Sequence, residues 1–207
     1  ADNKKTINNY NQKLKLLEKR ASEDVAQKKK LLKEKEVVEK AKKQLSELTQ
    51  KIVEKRRKNL LKKEVEKIAD SVKKGFTEKD ILQILEKVAD GIITEEEAKR
   101  LLKEKTDLSD DNIRKIIAKT KSIQKDSEIL SEKLATASSE EIEEILRDSG
   151  GVSETDILAL VEKKKEVELI EVSFLERTMS KLYSRLVRDR ELGVEEAFCL
   201  NIEGILD

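Results

Sequence analysis

The strongest constraint on this chain is its first 74 residues, which contain neither Gly nor Pro. Pro is absent from all 207 residues, so no position lacks the backbone N–H that a helix must bond. Hydrophobic residues make up 37% of the chain and aromatic residues only 2%, which is typical of long helices with narrow apolar contacts. The sequence therefore predicts an all-α protein.

Apolar residues in the second half of this stretch alternate in steps of three and four. Five of them follow the heptad of a coiled coil and form the first part of a predicted helix-packing or oligomer seam: Val38, Ala41, Leu45, Leu48 and Ile52. The spacing is less regular upstream and resumes after a phase shift from Leu61 to Val72. We predict an extended basic helical or coiled-coil segment over residues 1–74, on the order of 100 Å long as one helix. Two or more separate helices are the alternative.

The sign of the charge changes near Gly75, although the net charge of the whole chain is only +1. Residues 1–75 carry 24 basic and 12 acidic residues, and the remainder carries 21 basic and 32 acidic residues. Six residues form a predicted basic patch that is suited to phosphates: Lys55, Arg56, Arg57, Lys58, Lys62 and Lys63. Because the patch has no interleaved aromatic residues and no nucleic-acid-binding motif, we do not expect a nucleic-acid partner. A nucleic-acid-associated protein is the alternative function.

One helix-start pattern occurs five times after Gly75. Each copy has an apolar residue, a Ser or Thr, an acid or amide three positions later, and apolar residues four, seven and eight positions after the Ser or Thr. The five hydroxyl residues are Thr77, Thr94, Ser109, Ser138 and Ser153. Such a hydroxyl accepts a bond from a first-turn N–H that otherwise has no partner, and the polar residue completes a capping box. The pattern predicts five helices.

Short amphipathic helices are stable only when packed, so we predict a small bundle of helix-turn-helix hairpins over residues 75–165. Residues 76–105 align with residues 137–165, which either an internal duplication or the shared capping rules would explain. A long C-terminal helix that overlaps the bundle is predicted over residues 153–192. Its heptad spacing supplies the second part of the seam: Val172, Leu175, Met179, Leu182 and Leu186. Residues 193–207 form an apolar tail that we expect to dock on the body, with a detached docking peptide as the alternative.

Several kinds of chemistry are excluded by residues and motifs that the chain lacks. It contains no His, which excludes Ser-His-Asp and Cys-His catalysis and His-based metal sites. It also has no Walker loop, no dinucleotide-binding Gly motif and no nucleophile elbow. Residues 90–97 resemble the second half of an EF-hand loop, but Val88 stands where the first half needs an oxygen ligand. We expect no enzyme activity, no cofactor and no bound metal; an unrecognised carboxylate site is the third hypothesis.

These observations predict a non-enzymatic structural, scaffold or adaptor protein that acts through helix-mediated contacts with protein partners. A homo-oligomer formed through the seam is one version of this prediction. No run of residues is long and apolar enough to span a bilayer, so we expect a soluble chain. The single cysteine, Cys199, forms no internal disulfide, which slightly favours a cytoplasmic location. Because the chain starts at Ala1, an exported mature protein is the alternative.

Overall fold

The computed structural model of the protein describes the backbone of residues 2–191 and the side chains of residues 11–12, 14–181 and 184. Within these residues there are six α-helices, one short 3-10 helix and no β-strand. The α-helices are α1 (Asp2–Glu66), α2 (Glu78–Ala89), α3 (Glu95–Lys105), α4 (Asp110–Thr136), α5 (Ser139–Ser149) and α6 (Glu154–Glu191). The predicted all-α fold, with a long helix at each end of short capped ones, is confirmed. The predicted tail at 193–207 and the side chains of Leu182 and Leu186 lie outside the described residues.

Helix α1 is unbroken because it contains no Gly or Pro. It ends at Glu66, whereas the sequence predicted a helical segment up to residue 74. The chain after it pairs with the residues that follow α3. The N–H of Lys73 donates to the carbonyl of Lys105 at 2.9 Å, and the N–H of Asp107 donates to the carbonyl of Ser71 at 2.8 Å. This pairing holds Val72 in an extended conformation, so the helix cannot continue through it.

All five predicted helix starts are confirmed at the predicted residues. Each of α2 to α6 begins one residue after a Ser or Thr whose hydroxyl accepts a hydrogen bond from the N–H three residues later. In α2 and α5 the bond is reciprocated, because the carboxylates of Asp80 and Glu141 accept from the N–H groups of Thr77 and Ser138. These two complete capping boxes fix where α2 and α5 begin.

The chain forms two compact units, and both long helices contribute to each of them. One unit contains residues up to Lys43 and from Val167 onward, and the other contains residues 44–166. We call them the terminal unit and the central unit. The predicted boundaries at residues 74 and 165 mark changes in the character of the sequence, whereas the compact units divide after Lys43 and after Glu166.

In the central unit, α1 packs against two apolar clusters. The first contains Leu61 and Val65 of α1 together with residues of α2, α3 and the first half of α4. The second contains Ile52 and Val53 of α1 together with residues from the end of α4, from α5 and from the start of α6. Helix α4, with 27 residues, is long enough to contribute to both clusters.

In the terminal unit, α1 and α6 run antiparallel. Ion pairs join Lys42 to Glu171 at 2.6 Å and Glu34 to Lys181 at 3.5 Å. The earlier residue of α1 therefore pairs with the later residue of α6, as in an antiparallel pair of helices. The apolar contact between the two helices consists of the buried residues Leu31, Val38 and Phe174, with Ile170 packed beside them. This contact is one narrow seam, as the composition of the chain predicted.

The capping box of α5 stabilises the start of that helix, and its contribution can be measured. Replacing Ser138 by Ala leaves an N–H at the start of α5 without its acceptor, so we expect the free energy of unfolding to fall by about 1 kcal/mol. The exchange rate of the Glu141 amide should rise as well. Urea denaturation followed by circular dichroism, together with amide hydrogen exchange, measures both effects.

The matched control is Ser46→Ala at an exposed site inside α1, where Ala is the better helix former and stability should change by less than about 0.5 kcal/mol. Equal losses of stability in the two variants would contradict the assignment of Ser138 as a cap.

Candidate interaction surfaces

Arg57 of the predicted basic patch is buried and bonded within the central unit. One terminal nitrogen, Nη1, donates to Oδ1 of Asp90 at 2.6 Å and to Oε1 of Gln124 at 2.8 Å. The other, Nη2, donates to Oε1 of Glu54 at 2.8 Å. Burial opposes the positive charge, but the hydrogen bonds with Glu54 and Asp90 outweigh it, so the pKa of Arg57 is raised above its ordinary value. Arg57 therefore joins α1 to α4 and to the residue that ends α2.

Arg56 is also buried, and it bonds the end of a different helix. Its Nε donates to the carbonyl of Gly150 at 2.7 Å, and its Nη2 donates to the carbonyl of Ser149 at 2.8 Å. These carbonyls lie at the C-terminus of α5, where helix carbonyls lack partners and a positive charge is favourable. Gly151, which follows these carbonyls, has φ of +74°, a left-handed conformation that favours glycine.

The four lysines of the predicted patch lie at the surface. Two of them are close to acidic side chains, and the other two are simply exposed. Lys55 pairs with Asp156 at 2.7 Å, and Lys58 lies 3.6 Å from Glu54. Lys62 and Lys63 are exposed. The structure therefore brings the six residues together on one stretch of α1 but uses its two arginines inside the central unit. The sequence carried part of a signal for this arrangement, since the pair Gly150 and Gly151 indicates a helix end whose carbonyls need donors. It did not show which basic residues would reach them.

The two parts of the predicted seam have different environments. On α1, Val38, Ala41 and Ile52 are buried, and Leu45 and Leu48 are partly buried. On α6 the predicted residues face outward: Val172, Leu175 and Met179 are 51%, 52% and 65% exposed. The residues of α6 that are buried in the terminal unit are Val167, Phe174 and Thr178. Phe174 and Thr178 come one position before Leu175 and Met179, so α6 carries two neighbouring stripes. It packs on α1 with the stripe of Phe174 and Thr178 and not with the predicted seam residues.

We call Val172, Leu175 and Met179 the α6 stripe. Two of its members line a groove of about 400 Å³ in the terminal unit. The apolar lining consists of Val38, Val172, Phe174 and Leu175, and the charged lining consists of Lys35, Glu39, Lys42, Glu168 and Glu171. The groove therefore has an apolar base between charged side chains of both signs, which suits a partner helix with an apolar face.

Two further features of the described residues bear on function. No group of three or more His, Cys, Asp or Glu side chains in them is arranged to hold a metal ion. At the loop that resembles half an EF-hand, the carboxylate of Asp90 is bonded to Arg57. None of the helices in the described part of the chain is both long enough and apolar enough to cross a membrane.

The role of Arg56 can be measured as stability. Replacing Arg56 by Met keeps an unbranched apolar stem but removes the donors to Ser149 and Gly150, so the free energy of unfolding should fall by about 2 kcal/mol. Lys62→Met, at an exposed position one or two turns away on α1, should change it by less than about 0.5 kcal/mol. Urea denaturation compares the two variants, and equal losses would show that Arg56 is a surface residue and not an anchor.

The Lys55–Asp156 pair predicts how stability depends on pH. The hydrogen bond from Lys55, helped by one from Ser153, lowers the pKa of Asp156 below its ordinary value of 3.8 even though burial opposes this. A carboxylate with a lowered pKa stabilises the folded state above its unfolded pKa, and this contribution is lost as the pH falls through the folded pKa. The stability gap between the wild type and Asp156→Asn should therefore be constant from pH 7 to about pH 5 and should narrow below about pH 4. Denaturation midpoints measured between pH 7 and pH 2 test this, and a constant gap would refute it.

Comparisons of this chain with protein-family models, with curated proteins and with solved structures find no match.

Proposed function

We propose that this chain is a non-enzymatic scaffold or adaptor protein that binds helices of other protein chains through the α6 stripe. The observation that carries the proposal is the exposure of Val172, Leu175 and Met179, each by half or more of its surface, on the outer side of a two-helix contact. Contiguous apolar surface of this kind in a highly charged protein is typical of a site of interaction.

The spacing of the stripe supports a helical partner. Its residues are separated by three and four positions, so they lie on one side of α6 and match the anchor spacing of a helix that binds in a groove. Burying the exposed half of each side chain would contribute on the order of 1 kcal/mol per residue, and the partner would contribute a similar amount from its own apolar face. The sum is enough for a reversible association between preformed helices.

The charges around the groove support specificity in this association. Lys35, Glu39 and Lys42 lie on the α1 side, and Glu168 and Glu171 lie on the α6 side, so the first side is mainly basic and the second is acidic. Complementary charges beside an apolar contact orient a partner and reject wrong ones, although exposed pairs add little affinity. A helix with acids on one flank and bases on the other would fit in one direction better than in the reverse direction.

The alternative function, binding of nucleic acid, receives less support from the same structure. Arg56 and Arg57 are bonded to helix ends and acidic side chains, so a phosphate backbone would meet mainly the lysines of the patch. Arginine is the residue best suited to phosphate because its planar group donates two parallel bonds. The proposal therefore places function on the apolar surface of α6 and not on the basic surface of α1.

A panel of labelled amphipathic helical peptides tests the proposal. The panel contains peptides with a Leu heptad and different flanking charges, and one peptide with the sequence of residues 160–191. We expect fluorescence anisotropy to detect binding to the full chain, and Val172→Lys to weaken it by at least about tenfold because a charge replaces an apolar contact.

The matched control is Val37→Lys in the same unit, at a residue that is 58% exposed and does not line the groove. It should leave the affinity within about twofold, which is less than about 0.5 kcal/mol. Failure of the whole panel to bind the chain at concentrations where it is monomeric, or equal weakening by both variants, would overturn the proposed function.

A further inference from the structure

We infer that the helix bound by the α6 stripe is α6 of a second copy of this chain, with the two helices antiparallel across a twofold axis. This inference rests on the proposed function, because it names the partner of the same surface. Three observations support it: the symmetry of the spacing, the division of charge along α6, and the exposed apolar surface of α1 that continues from the groove.

The spacing of the stripe reads the same in both directions. Val172, Leu175 and Met179 are followed at the next heptad step by Leu182, so the four positions are separated by three, four and three residues. In an antiparallel pair centred between Leu175 and Met179, Leu175 lies opposite Met179 of the second copy, and Val172 lies opposite position 182 of the second copy. A twofold interface requires this reciprocity, because every contact must occur twice.

The charges of α6 select the antiparallel direction. Residues 166–176 contain four Glu and no Lys or Arg, whereas residues 177–190 contain five Lys and Arg and one Asp. An antiparallel copy places the acidic stretch of each helix beside the basic stretch of the other. A parallel copy would place acid beside acid and base beside base, and like charges at close range are unfavourable. Within one chain, Glu171 pairs with Lys42 and Arg177 pairs with Glu34. The side chains of Glu171 and Arg177 nevertheless remain partly exposed.

Helix α1 extends the apolar surface on the side of the groove. Leu32 is exposed and comes three, seven and ten positions before the groove-lining residues Lys35, Glu39 and Lys42, so heptad spacing places it on the same side of α1. Two α1–α6 pairs that meet through their stripes would form a four-helix arrangement, which buries a second seam on each helix. The apolar residues that one narrow seam leaves exposed would then be covered by apolar residues of the second copy.

Sedimentation equilibrium of the full chain tests whether this dimer exists. We expect a monomer–dimer equilibrium, and we expect Val172→Lys combined with Leu175→Lys to raise the dissociation constant at least about a hundredfold, since two charges would be buried in each half of the interface. Val37→Lys should leave it within about twofold. Circular dichroism melting confirms that the variants are folded, because both substituted side chains are half exposed in one copy.

Disulfide trapping tests the direction of the helices. In a Cys199→Ser background the chain has no other cysteine, so a single cysteine can be placed at residue 175 or at residue 179. When Leu175→Cys and Met179→Cys chains are mixed and oxidised, the mixed dimer should form faster than either homodimer, since a disulfide needs its Cα atoms within about 7 Å. Faster homodimers of Leu175→Cys would establish a parallel pair and overturn the inference.

The outcomes separate this inference from the proposed function. A chain that stays monomeric at hundreds of micromolar but binds the peptide panel through Val172 would overturn the second copy and retain the helix-binding function. A dimer that is unaffected by the double substitution would overturn the inference, because its interface would lie elsewhere. If there is neither a dimer nor peptide binding, both are overturned.

Discussion

The central unit depends on two adjacent arginines of α1 that bond the ends of two different helices. Consecutive residues of a helix point about 100° apart, so Arg56 and Arg57 leave α1 in different directions. Arg56 reaches the last carbonyls of α5, and Arg57 reaches Asp90 at the end of α2. One helix thereby holds the apolar cluster around α2 and α3 and the cluster around α5 and α6. Removing Arg56 would take the charged donor from the last carbonyls of α5, and removing Arg57 would take it from the carboxylates of Glu54 and Asp90.

Because Arg56 and Arg57 have structural partners, the basic stretch of α1 is a weaker indication of nucleic-acid binding. A chain that is 43% charged, with a basic stretch on its first helix, suggests nucleic acid at first sight. The structure assigns the two strongest phosphate-binding candidates to helix ends, and Lys55 and Lys58 to nearby acids. The terminal unit also exposes the apolar surface of Val172, Leu175 and Met179 on α6. The proposed function and the proposed dimer both follow from that surface.

The sequence predicted best what depends on neighbouring residues. The five helix starts were located correctly because a cap needs only a hydroxyl and an N–H three residues away. The end of α1 was placed too late, because it depends on Ser71 and Lys73 bonding to residues near Thr106, more than 30 positions further along. The anchoring roles of Arg56 and Arg57 were missed for the same reason, since their partners lie between 33 and 94 residues away, apart from Glu54.

The two stripes of α6 show the limit of periodicity as a guide. Phe174 and Thr178 lie one residue before Leu175 and Met179, so both sets fit a heptad, and a rotation of the helix by one residue decides which set is buried. The sequence alone determined the helical class, the helix starts and the presence of apolar seams, because these follow from local hydrogen bonds and spacing. Only the tertiary structure decided which seam faces α1, where α1 ends and which basic residues become anchors. These three features depend on contacts between residues that are distant in sequence. A local sequence pattern cannot predict the free energies of such contacts.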